Sequence, residues 1–107
     1  MKHDIKLYIF DDDTHEVVEY TAKDKFPFWG AWMKNTNRQL AHTVLQDGDI
    51  EVSTMFLGID QWPCIDGPPK PFETKVWEFG ECVDVTRTET WDEALDAHKE
   101  AVRGDLL

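Results

Sequence analysis

Between Arg38 and Asp60 the chain reads RQLAHTVLQDGDIEVSTMFLGID, two runs of strand-forming residues joined at Asp47-Gly48. Glycine tolerates the positive φ of a tight reversal, so Asp-Gly between such runs predicts an antiparallel hairpin. In the second run Ile50, Val52, Thr54 and Phe56 share one face, because successive side chains of a strand alternate. Beyond Ser53 the opposite face carries Met55, Leu57 and Ile59. A strand apolar on both faces is expected to be central in its sheet and covered twice. The rest of the chain has to build a sheet around it.

The flanking segments supply the partners. After a proline-rich connection, FETKVWEF (Phe72 to Phe79) and CVDVTRTE (Cys82 to Glu89) resume strand character, with the turn expected at Gly80-Glu81. Short and moderate links between four such runs predict an antiparallel meander. At the N-terminus IKLYIF (Ile5 to Phe10) and EVVEYTAK (Glu16 to Lys23) flank DDDTH, a hairpin signal with a turn of polar residues. Asp11, Asp12 and Asp13 read as a solvated turn, since no EF-hand pattern follows them.

Two helices complete the pattern. In FPFWGAWMKNTN, Trp29, Trp32 and Met33 fall on one helical face, Pro27 suits a first turn, and Gly30 keeps the helix short. In TETWDEALDAHKEAVRG, Thr90 and Glu93 have capping-box spacing, and Trp91, Leu95, His98 and Val102 form an apolar stripe. Asp92 and Glu93 suit the positive end of that helix and Arg103 the negative end, with Gly104 expected just beyond its last turn. The expected fold is α+β, one domain over residues 1–107. It has an antiparallel β-meander, an N-terminal hairpin, one short helix and a C-terminal amphipathic helix packed on the sheet.

Apolar residues make up 41% of the 107, with five Trp and six Phe, enough for one core. Against 11 Lys and Arg stand 22 Asp and Glu, a net charge of −11. That balance opposes direct contact with nucleic acid or an anionic membrane and favours a partner with a basic surface. No run of some 18 apolar residues occurs, and the two cysteines, Cys64 and Cys82, form no CxxC pair. The reading is cytoplasmic with free thiols. The histidines and cysteines lack metal-ligand spacing, so neither a metal nor another cofactor is expected.

The segments VSTMFLGID (Val52 to Asp60), GPPKPFETKVWEFG (Gly67 to Gly80) and TWDEALDAH (Thr90 to His98) resemble a family of small bacteriophage and prophage proteins. WGAWM and RQLAHTVL extend the resemblance upstream, so that it covers roughly Trp29 to Val102. It implies a phage-type α+β protein in the cytoplasm of a host cell, and it implies no reaction. The chain departs from that pattern at Gln61, where the family has histidine, and at Ala97, where it has glycine.

No nucleophile elbow, P-loop or zinc-protease motif is present, so no catalytic residue is assigned. His98 is the one histidine on an apolar face. A packed residue with satisfied nitrogens is the plainer reading of it, and an acid–base partner for Asp60 the sharper one. Four of the five prolines lie between Phe56 and Thr74. Their stiffness predicts an ordered loop folded over one end of the sheet, with Asp60, Trp62, Cys64 and Asp66 as a recognition patch. Trp77 is a further candidate, able to stack a planar ligand.

The leading functional expectation is therefore a non-enzymatic, acidic accessory protein that binds a host protein, in its sharper form by mimicking nucleic acid. The alternatives are a nucleotide-binding sponge and a small hydrolase using His98. The edge of the N-terminal hairpin offers a route to a homodimer.

Overall fold

The computed structural model describes residues 6–20, 25–59 and 69–106. It is an α+β fold with the elements β1 (Tyr8–Phe10), β2 (Val17–Glu19), α1 (Lys25–Asn35), β3 (Gln39–Leu45), β4 (Ile50–Phe56), β5 (Phe72–Glu78), β6 (Glu81–Thr88) and α2 (Trp91–Leu106). Strands β3 to β6 form an antiparallel meander in chain order, and β1 and β2 form a separate hairpin. Both were expected. The hairpin strands are shorter than the sequence suggested, three residues each.

Register decides which side chains meet. Val52 lies opposite Thr43 and Val76, and Thr54 opposite Ala41 and Thr74. On this face α2 lies across all four strands. Ile50, Val52 and Val76 form one buried cluster, with Val102 and Ala101 of α2 packed on it. At the far end Tyr8, Phe10, Phe56, Phe72 and Ala94 form a second cluster, flanked by Trp32, Met33 and Trp91. Phe10 meets the rings of Phe56, Trp32 and Trp91 edge-on at 5.0, 5.1 and 5.2 Å between centroids. That aromatic knot joins the hairpin, α1 and α2 to the sheet.

The chain's first corner after β4 depends on glycine. Gly58 has φ +71, and a Cβ there would come within 2.9 Å of Met33 Sδ. Its carbonyl accepts the Tyr8 amide at 2.7 Å, and Leu7 bridges to Ile59, so this corner seats the hairpin. Pro71 is fully buried, and its carbonyl accepts the Leu57 amide. The described end of the proline-rich connection thus closes the sheet end.

Four expectations need correction. β4 is internal, but among the described residues only its α2 face is covered by another element. On the other face Glu51 is exposed and Ser53, Met55 and Trp77 are partly so. The Asp47-Gly48 reversal is wider than two residues, with positive φ beginning at Gln46. The β5–β6 turn is Phe79-Gly80, one residue earlier than predicted, with φ 53 and 83. Positive φ at both centres is the type I′ geometry that matches strand twist, and it costs a bulky residue about 1–2 kcal/mol. Finally, α2 continues through Gly104 to Leu106, because Gly104 keeps a helical rather than left-handed backbone.

Candidate functional site

Among the six candidate residues, Asp60, Trp62, Cys64 and Asp66 lie outside the described residues. Trp77 and His98 are on opposite faces of the sheet and do not meet. Trp77 pairs across to Glu51 and Cys82 on the uncovered face, with Lys75 Nζ 5.7 Å from its ring. His98 is 6% exposed on the α2 side.

The surroundings of His98 are specific. Its Nδ1 is 2.9 Å from Thr54 Oγ1 and its Nε2 is 2.8 Å from Thr43 Oγ1. Thr54 Oγ1 is also 2.7 Å from Thr74 Oγ1, and Thr54 and Thr74 are buried. A neutral imidazole donates from one nitrogen and accepts at the other. One chain satisfies every group: Thr74 donates to Thr54, Thr54 to His98 Nδ1, and His98 Nε2 to Thr43. The reverse sense with the other tautomer works equally well. Burial, with the charge of nearby His42 second, holds His98 below the ordinary histidine value. A neutral ring with both nitrogens occupied has nothing left for a substrate.

In the sequence Thr54 and Thr74 read as ordinary strand threonines of good β propensity, and Thr43 stands out in no way. Only the long-range register puts Thr43, Thr54 and Thr74 under one helix residue, so no local signal marks them.

A cavity of about 280 Å³ opens on the described surface. It lies where the hairpin, the Pro69–Pro71 segment and the start of α2 converge. Tyr8, Val17, Pro69 and Pro71 give it apolar walls, and Glu16 and Glu89 line it too, with no Lys or Arg among the lining residues. The His15 ring, also in the lining, stacks on Trp91 at 3.8 Å between centroids and 13° between planes. That stack ties the hairpin turn to the first turn of α2.

The same region gathers carboxylates. In the hairpin turn Asp11 Oδ1 accepts the amides of Asp13 and Thr14 at 2.8 and 2.9 Å. Those two bonds, Thr14's the larger effect, keep its carboxyl below the usual aspartate value. At the other wall Thr90 Oγ1 accepts the Glu93 amide at 3.1 Å, the expected cap. The reciprocal half of the box differs, since the Glu93 carboxylate takes the Thr90 hydroxyl rather than a backbone amide. Asp92 and Asp96 are exposed beside it. Among the described residues no group of three or more His, Cys, Asp or Glu is arranged to hold a metal ion.

No family model, curated protein or solved structure matches this chain.

Proposed function

We propose that the chain is a binding protein, not a catalyst, and that it holds a basic segment of a partner protein against the cavity between the hairpin and α2. One observation carries this reading. The cavity is walled by apolar residues and lined by Glu16 and Glu89, with His15 but no lysine or arginine beside them, a combination that suits a long cationic side chain, apolar along its stem and charged at its tip. The carboxylates around it add long-range attraction for a basic surface. The resemblance to phage proteins supports a host protein as that partner.

The alternatives fit less well. A nucleotide's phosphates would meet Glu16 and Glu89 in this cavity, and His98 is committed to the core. Nucleic-acid mimicry is the sharper form of the proposal. It gains little from α2, where carboxylates four residues apart rise about 6 Å along the axis. Each strand of duplex DNA carries one charge per about 3.4 Å of axis, and Lys99 and Arg103 interrupt the helix's exposed face.

A capped tripeptide, acetyl-Gly-Arg-Gly-amide, tests the cavity by titration against its norleucine counterpart. The arginine peptide is expected to bind more tightly, and Glu16→Gln with Glu89→Gln to weaken it about tenfold, as two partly exposed charge contacts would. Equal binding of the two peptides would refute the reading.

A further inference from the structure

At the opposite end of the sheet from the cavity stands the Phe79-Gly80 turn. Phe79 is 76% exposed, the most exposed of the large hydrophobic side chains among the described residues. It also has a backbone φ of 53, where Asn, Asp or Gly would sit without strain. Its amide donates to Asp49 O at 2.8 Å, so the backbone alone ties this turn to the one between β3 and β4. Among the described residues no aromatic or core contact involves the ring. A bulky residue in a strained conformation with an unused side chain points to a role outside the fold.

We infer that Phe79 is an anchor that inserts into an apolar socket of a protein partner, and that the socket is rimmed by lysine or arginine. The chemistry of the rim follows from the flanking residues. Glu78 and Glu81 bracket the turn and pair with each other across it, and Asp49 adjoins it. Val83, 51% exposed and without a cross-strand partner where the β5–β6 register shifts, extends the apolar contact down β6. An aromatic centre within a charged rim is the usual anatomy of a binding hot spot. A second copy of this chain is the wrong occupant. It carries the same net charge of −11, and the cavity between its hairpin and α2 is itself lined by carboxylates. The inference shares with the proposed function only that the chain binds protein. It uses a different surface.

The test uses the full chain with a photo-crosslinking benzoyl-phenylalanine at position 79, irradiated in the cell that produces it. The same group at Phe28, 61% exposed on α1 and part of neither surface, is the control. One discrete adduct is expected from position 79 and not from 28, with the crosslinked partner peptide containing Lys or Arg beside apolar residues. Glu78→Gln with Glu81→Gln should cut its yield at least fivefold. Phe79→Asn should melt about 4 °C higher than the parent, since strain is relieved and no packing is lost. It should also leave the arginine-peptide titration unchanged, which separates a failed anchor from a failed cavity. No adduct, the same adducts as position 28, a self-adduct of twice the chain's mass, or a lower melting point for Phe79→Asn would each overturn the inference.

Discussion

Replacing His98 by alanine is expected to destabilise the protein by about 3 kcal/mol, measured by denaturant unfolding. Two effects add. A large buried side chain leaves a cavity under α2, and the Thr43 and Thr54 hydroxyls lose a partner in the core. His98→Gln, whose amide both donates and accepts, should recover a good part of the loss. The parent's pH dependence follows from the lowered value at His98. The unfolded chain takes up a proton there near pH 6.5 while the native ring resists it. Stability from this group is therefore full above about pH 6.5 and is lost as pH falls through the native value. In His98→Gln that slope between neutral and mildly acid pH should flatten. A stable alanine variant would mean the threonine network does not hold the helix to the sheet.

The second large effect is expected at Phe10. It is 5% exposed and touches rings from the sheet, α1 and α2. Phe10→Ala should cost about 3–5 kcal/mol, as for other buried aromatics. The loss should be global rather than confined to the hairpin, because the knot is shared. Amide hydrogen exchange checks this directly: protection in β4 and β5 should fall together with that in β1. Loss confined to β1 and β2 would make the hairpin an independent appendage.

These two residues show how the chain divides between readable and unreadable parts. α2 was legible because its cap, apolar stripe and end charges lie within one continuous segment. The meander was legible because alternation in β4 and β5 needs no knowledge of distant partners. Phe79 was not. Local preference favours a strand for phenylalanine and a turn for Gly80-Glu81, and the actual turn sets the backbone against that preference. Gly104 misled for the opposite reason, since a glycine permits a helix end without enforcing one. The cavity was invisible to any local pattern. Glu16, Pro69 and Glu89 are far apart in sequence and meet only after Phe10, Trp91 and Gly58 have placed the hairpin.

A protein that acts by binding a basic partner, and not by chemistry at His98, should reveal that partner in affinity capture from the producing cell across a salt gradient. Three baits are needed: the parent chain, Glu16→Gln/Glu89→Gln, and His98→Gln. One basic protein is expected on the parent and on His98→Gln, released as salt screens the contact, and absent from the double variant. Retention that ignores salt, or loss of the partner from a folded His98→Gln alone, would contradict that expectation.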